Sequence, residues 1–258
     1  MAKRSASPDF DSFYHALYGE RWPRLRTALL KDRDPVALTD GLVRPYFLDE
    51  ASILAARALS VQRGEQVLDM CAAPGGKTLV LATALDGEGQ LVANDRSASR
   101  RARLRRVIAD HLDERAQATI TVTSHDATKW SLYEQGAYDK IFLDAPCSSE
   151  RHVLTDAKAL GEWSPSRPRR LATTQFAMLA AALEAVRVGG LILYSTCSIN
   201  SGENEGNMEK LALRRAGRFV EEPLVIEGAE RRAWGQIILP DSTSGTGPLY
   251  LCLIRRTA

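Results

Sequence analysis

The chain has 258 residues, of which 45% are hydrophobic and 26% charged, and a formal net charge of +2. That balance is ordinary for a folded globular protein, excludes a disordered or collagen-like chain, and is too mildly basic to demand a nucleic-acid partner. The longest apolar runs are about five residues, as in 190–194, and the N-terminus pairs two basic residues with no apolar stretch, so neither a membrane span nor a signal peptide is expected.

Residues 9–60 are predicted helical. Phe10, Phe13, Tyr14, Leu17 and Tyr18 fall at helical spacing, followed by Trp22, Leu25, Leu29 and Leu30,. The stripe reads as core, with a base-stacking platform as the alternative. A break at 32–35 ends this stretch, and Asp49 is placed to cap a helix that follows it. Beyond residue 64 the pattern becomes strand, helix, strand. Strands are expected at 66–70, 90–94, 119–123, 139–143 and 191–195, with helices at 77–85 and 98–110. A long apolar helix at 171–186 is expected to be closed by Gly189 and Gly190. This alternation argues an α/β fold with a doubly wound, mostly parallel sheet. The segments 236–239 and 249–254 flank a Ser/Thr/Gly-rich turn and suggest an antiparallel hairpin at the sheet edge.

The first strand of that sheet runs into Cys71, Ala72, Ala73, Pro74, Gly75, Gly76 and Lys77. Small residues let the backbone approach a ligand closely, and the next helix offers free N–H groups. The run is neither a P-loop, because Cys71 stands where its first glycine belongs, nor GxGxxG. Asp95 follows the second strand, about 20 residues after Gly75, where a carboxylate accepts hydrogen bonds from ribose hydroxyls. The ligand is therefore an adenosine compound, either a dinucleotide or S-adenosylmethionine. Asp126, with Ala127 behind it, follows the third strand and either reaches an adenine amino group or caps a local turn.

Four cysteines stand singly: Cys71, Cys147, Cys197 and Cys252. With no Cys-x-x-Cys and no histidine cluster, no metal site is expected. Unpaired thiols suit a reducing, cytoplasmic compartment. Cys252 reads as packing and Cys71 as backbone of the cofactor loop. Cys147, in Asp-Ala-Pro-Cys-Ser-Ser over 144–149, and Cys197, in Tyr-Ser-Thr-Cys-Ser over 194–198, follow adjacent central strands at the cofactor edge. Two thiols and the Asp144 carboxylate beside a methyl donor suit methylation at a pyrimidine C5. A thiolate adds to C6, C5 becomes nucleophilic, an acid holds a proton at N3, and a base removes the C5 hydrogen so that sulfur can leave. Lys77 could help hold the thiol ionised.

These segments, with Asp-Met-Cys-Ala-Ala-Pro-Gly-Gly-Lys-Thr over 69–78 and Asn-Ser-Gly-Glu-Asn-Glu over 200–205, resemble the Nop/Sun (RsmB-type) RNA 5-methylcytosine methyltransferases. The resemblance covers roughly residues 45–256 and is greatest to the branch typified by the animal mitochondrial rRNA methyltransferase, which shares the Tyr-Gly-x-x-Trp-Pro of 18–23. It implies a Rossmann-like class I methyltransferase fold over 46–258, with 1–45 as a helical extension and S-adenosylmethionine as cofactor. Cys197 is then the nucleophile and Cys147 assists release, with Asp144 and Lys77 in the active site. Residues 71–77, Asp95, Arg100, Asp126, Ala127 and Asp144 line the cofactor pocket. The family's Gly-x-Gly after Pro-Cys-Ser is replaced here by Ser149, Glu150, Arg151 and His152.

Arginine supplies 27 of the 34 basic residues. A GC-rich genome is the plain reading, although arginine forks also bind phosphate bidentately. Arg96, Arg100, Arg101, Arg103, Arg105 and Arg106 form either a solvated helix face or a basic surface. Arg167, Arg169 and Arg170, with Arg151, are the expected RNA contacts. The expected substrate is rRNA, with tRNA as alternative. An RNA-targeting protein partner and a mitochondrial matrix setting remain open on resemblance. The other class of reading is a ribosome-assembly factor that binds RNA without chemistry.

Overall fold

The computed structural model describes residues 9–258, so the expectation for the extreme N-terminus lies outside it. Helix α1 (Phe10–Tyr18) starts at Asp9, whose carboxylate accepts the Ser12 N–H at 2.7 Å, and α2 (Trp22–Leu29) carries Pro23 in its first turn,. Phe10, Tyr14 and Trp22 are buried, with ring centroids 4.7–6.0 Å apart, in the same cluster as the central sheet. The aromatic part of the stripe, with Leu25 and Leu29, is therefore core rather than a stacking platform, while Leu17 and Leu30 stay exposed.

The expected helical stretch over 9–60 is interrupted. Strands β1 (Val36–Leu38) and β2 (Tyr46–Leu48) pair antiparallel, with Val36 opposite Leu48. Strands of three residues hold too few alternations to register as a period. Helix α3 (Glu50–Ala58) then begins at Asp49, whose side chain accepts the Ser52 N–H at 3.1 Å, as expected of a cap.

The α/β core follows. Its first half comprises β3 (Gln66–Asp69), α4 (Gly76–Leu85), β4 (Gln90–Asn94), α5 (Ala98–His111), α6 (Glu114–Ala118) and β5 (Ile120–Thr123). The second half is β6 (Tyr138–Asp144), α7 (Glu150–Thr155), α8 (Ala157–Gly161), α9 (Ser166–Ala185), β7 (Val186–Thr196) and α10 (Glu205–Arg214). The short strands β8 (Phe219–Glu221), β9 (Glu230–Arg231) and β10 (Gln236–Ile238) precede the long β11 (Leu249–Arg256).

The main sheet has the order β5-β4-β3-β6-β7-β11-β10-β9, with β8 beside β11. Its β5-to-β7 portion is parallel, and β11 adds antiparallel to β7. Val67, Leu68, Ile141, Phe142 and Leu143 have no exposed surface, because helices cover both faces of a parallel sheet,. The chain winds outward from β3 to β5 and returns on the far side of β3 as β6. That reversal opens a crevice beyond the carboxyl ends of β3 and β6.

Two expectations need correction. Gly189 and Gly190 lie inside β7, which starts directly after α9. They coincide with a register shift opposite Tyr138 and Lys140, and a Cβ on Gly190 would stand 2.7 Å from the Asp139 carbonyl oxygen, so these glycines make a bulge. The β10–β11 hairpin forms, but β11 lies between β7 and β10, and β9 is the edge.

Gly75 caps α4 at φ +124°, and a Cβ there would meet Val107 Cγ1 at 2.9 Å; Gly64, at φ +82°, faces open space. Gly75→Ala is expected to cost about 1–3 kcal/mol, and more than Gly64→Ala, as read from urea-denaturation midpoints. Equal costs would show that α5 gives way at Val107.

Candidate active site

Three strand-end loops meet at the crevice through Asn94. Its amide donates to the Met70 and His125 carbonyls at 3.1 and 3.2 Å, and its oxygen accepts from Thr123 Oγ1 and the His125 N–H. Sequence reasoning passed over this residue, because a lone asparagine at a strand end carries no motif. Asp95, 6% exposed, accepts the Ser97 N–H at 2.8 Å. Arg100 reaches Asp95 at 3.4 Å and donates to the Ala73 carbonyl. Asp126 realises the cap reading: Thr128 donates to it through N–H and Oγ1, and these bonds hold its carboxyl below the usual range. It also lines, with Cys71, Asp95, Arg100 and Ala127, a cavity of about 430 Å³. His125 stacks on Tyr133 at 4.0 Å.

A second cavity shares Cys71, Arg100 and Pro146 with the first and is lined also by Ala73, Lys77, Asp144, Cys147 and Cys197. The β3–β6 pairing brings α4 against the end of β6, so Lys77 Nζ lies 2.9 Å from Asp144 Oδ2. Burial works to lower the Lys77 pKa, but the Asp144 carboxylate outweighs it and the net shift is upward. The β6–β7 register sets Asp144 opposite Ser195, whose hydroxyl donates to Asp144 Oδ1 at 2.8 Å. Asp69, buried beneath, accepts from Thr78 Oγ1 at 2.7 Å, and burial pushes its carboxyl up to about 7.

Adjacent strands end in the two thiols, and Cys147 Sγ and Cys197 Sγ stand 3.0 Å apart. Ser149 Oγ lies 3.3 Å from Cys197 Sγ and 3.5 Å from Cys147 Sγ. The Cys147 thiol, as donor, lowers the Cys197 pKa, while its own is driven up by that same bond and by burial. The ionised form therefore belongs on Cys197, the exposed sulfur,. Burial raises Cys71 and Cys252.

Both thiol loops stand on a buried acidic pair that the sequence did not disclose. Glu150 and Glu203 have no exposed surface. Ser198 Oγ is 3.0 Å from Glu150 Oε1 and 3.1 Å from Glu203 Oε1. Glu203 also accepts from Ser148 N–H and Oγ and from Gln175 Nε2 of α9. Glu150 accepts from the Tyr14 hydroxyl of α1 and the Ile199 N–H. One serine hydroxyl carries one hydrogen, so Ser198 donates to only one of the two carboxyls at a time. Burial first, then the Glu203 charge, pushes Glu150 up to about 7, and burial raises Glu203 as well.

The expected RNA contacts are dispersed. Arg151 donates to the backbone carbonyls of Lys31 at 2.8 Å and Gly247 at 2.7 Å, tying α7 to the segments on either side. Arg167, Arg169 and Arg170 sit in the first turn of α9, where Arg170 bonds Ser166 Oγ at 2.9 Å. None of these three lines the cavities described here. Among the described residues no cluster of three metal-ligating side chains occurs.

A family model for the 16S rRNA methyltransferases RsmB/F matches residues 56–250. The chain is similar to the 5-cytosine rRNA methyltransferase NSUN4 of Xenopus laevis, at 34% identity over 233 residues, covering 84% of this chain and 57% of that protein. It is also similar to the mitochondrial tRNA (cytosine(34)-C(5))-methyltransferase of Danio rerio, at 32% over 241 residues, covering 86% and 65%. The chain thus spans less than two thirds of the length of these curated relatives. Among solved structures, NSun6 from Pyrococcus horikoshii with SFG superposes at a TM-score of 0.68 and 28% identity, over 85% of this chain and 54% of that one.

A carboxyl whose folded pKa exceeds its unfolded value binds more protons in the native state. The Glu150 contribution to stability is therefore full below about 4.5 and lost as pH rises through about 7,. Wild-type Tm should fall over that interval. Glu150→Gln, which mimics the neutral acid, should flatten the fall and leave the part due to Asp69, Glu203 and Glu205, which shift the same way. Parallel Tm–pH curves for the two proteins would mean that no proton is held at Glu150.

Proposed function

Because the chain belongs to the RsmB/F methyltransferase family, we propose that it is an S-adenosylmethionine-dependent RNA (cytosine-C5) methyltransferase acting on rRNA. The observation that carries this reading is the pair of sulfurs 3.0 Å apart, beside the Lys77–Asp144 ion pair, in a cavity that joins the loop over 71–77. On this reading the fold over 46–258 does the chemistry, and the segment before it adds α1, α2 and strand β1.

The residues present fit the cofactor. Asp95 at the end of β4 offers a nearly enclosed carboxylate for ribose hydroxyls, and the small residues Ala72, Ala73, Gly75 and Gly76 keep the loop backbone approachable,. Pro74 and the first turn of α4 complete that loop. The neighbour solved with SFG, a S-adenosylmethionine analogue, supports the same assignment. When bound, S-adenosylmethionine supplies an electrophilic methyl group.

The chain's own residues do the rest. The Cys197 thiolate adds to cytosine C6, and the ring electrons move toward C5, the carbon that takes the methyl group. Asp144, held by Lys77 and Ser195, shares a proton at ring N3 and makes C6 electrophilic,. Loss of the C5 hydrogen to a base returns the electron pair to the ring and expels the Cys197 sulfur. Cys147, a neutral thiol beside the new carbon–sulfur bond, assists that departure. Arg167, Arg169 and Arg170, at the start of α9 and outside the cavities, are proposed to contact RNA phosphates,.

The Danio rerio relative, named for a tRNA, keeps tRNA as a second substrate reading. No helix among the described residues is long and apolar enough to cross a membrane. A cytoplasmic setting is part of the proposal, with the mitochondrial matrix as its alternative.

Methyl transfer from labelled S-adenosylmethionine to RNA, followed by nucleoside analysis, tests the activity; total RNA left without new 5-methylcytosine would refute it. Cys197→Ala should lower transfer by about 10³-fold or more while cofactor binding persists. Cys147→Ala should accumulate a protein–RNA adduct that survives denaturation, and its absence on a methylated substrate would remove the release role.

A further inference from the structure

Two further cavities continue outward from the reactive sulfurs. The first, of about 520 Å³, shares Asp49, Ser149, Cys197 and Pro248 with the Lys77–Asp144 cavity. The second, of about 710 Å³, lies over the loop 240–245 and shares Lys31, Asp32 and Arg33 with the first. Each falls within the roughly 300–1,000 Å³ that small-molecule sites span. Together they form a trough between the turn after α2 and the segment before β11.

The charges along the trough are unequally committed. Asp241 is paired to Arg21 at 2.8 Å and Arg24 at 2.9 Å. Asp49 caps α3, and Arg151 is bonded to backbone carbonyls. Asp32 remains as an acid on the wall. Arg33 gives only Nη2 to Glu50, at 3.1 Å, while its Nη1 is enclosed without a hydrogen-bond partner. The exposed Lys31 side chain makes no bond among the described residues. A guanidinium with a quarter of its side chain exposed and only Nη2 committed has donors left for an anionic oxygen,, and Lys31 adds a second cation where the two cavities join.

We propose that this trough is the track of the RNA backbone leaving the target cytidine, and that Lys31 and Arg33 bind phosphates of the flanking nucleotides. The proposal rests on the reading of the site as an RNA methyltransferase, and extends it by assigning the strand's path to the turn after α2. A cytidine whose base lies against Cys197 has its sugar and phosphate in the first outer cavity and its neighbour in the second. The track admits a single strand, because the target base must leave its stack and Arg151 bridges the trough's two walls,.

The test is fluorescence anisotropy of a short, labelled single-stranded oligoribonucleotide containing one cytidine, titrated across a salt series. Lys31→Ala/Arg33→Ala should weaken binding about tenfold or more and lower the slope of log K against log salt by about 1.4, near 0.7 for each lost phosphate contact. Lys31→Gln alone, at an exposed position without a partner, should lose about half of that slope. Arg187→Ala, which breaks a pair with Asp139 at the opposite end of the sheet, should change nothing. Calorimetry with S-adenosylmethionine should be unaltered in every variant. Unchanged affinity and slope in the double variant, with methylation intact, would overturn the trough and leave the enzymatic reading standing. A wild type that binds through Lys31 and Arg33 yet methylates no RNA would do the reverse. Displacement of the probe by polyglutamate as readily as by unlabelled RNA would overturn RNA as the occupant.

Discussion

The two thiol loops of this molecule rest on a pair of buried carboxyls at their base. Glu150 and Glu203 approach one another through a single serine hydroxyl, with no lysine or arginine among their hydrogen-bond partners. Two bare charges there would each carry a desolvation penalty of several kcal/mol. Burial raises both carboxyls, which favours the neutral form and eases that cost, while the shared serine hydroxyl makes the bridge,. The bridge ties the loop after β6 to the loop after β7, and so fixes the separation of their sulfurs. Tyr14 extends it to the first helix, which makes the N-terminal segment a support of the chemistry.

Above that base the sheet's topology does the positioning. A lysine in the first turn of α4 and an aspartate at the end of β6 lie far apart in sequence, yet adjacent parallel strands bring them into an ion pair. Both side chains keep about a quarter of their surface. The pair is thus sheltered enough to hold its geometry and open enough to meet a base.

The parallel sheet and its cavities were legible in the sequence because buried strands read as short apolar runs and because the cofactor loop, the two thiols and Asp144 each sit in a tight local motif. Gly75, Asp95, Asp144, Cys147 and Cys197 are therefore singled out by pattern, and the structure places them around the crevice and its cavities. The β1–β2 hairpin was not, since three residues carry too little alternation. Glu150, Glu203 and Asn94 escaped for a different reason: charged and amide residues read as solvated until the partners that satisfy them are seen, and those partners are as many as 136 positions away. The charge of Arg151 suggests phosphate, and its guanidinium bonds backbone oxygens in the structure, partners that no local pattern announces.

Ser149 stands in the left-handed region at φ 52°, ψ 58°, where the resembling family's pattern places a glycine. A β-carbon is strained there by about 1–3 kcal/mol. In return its hydroxyl lies within reach of both sulfurs. Position 149 is therefore where folding stability and thiol reactivity oppose each other. Relaxing the backbone with glycine removes a polar neighbour of both sulfurs, and any attempt to make this scaffold more robust meets that trade-off in this one residue,.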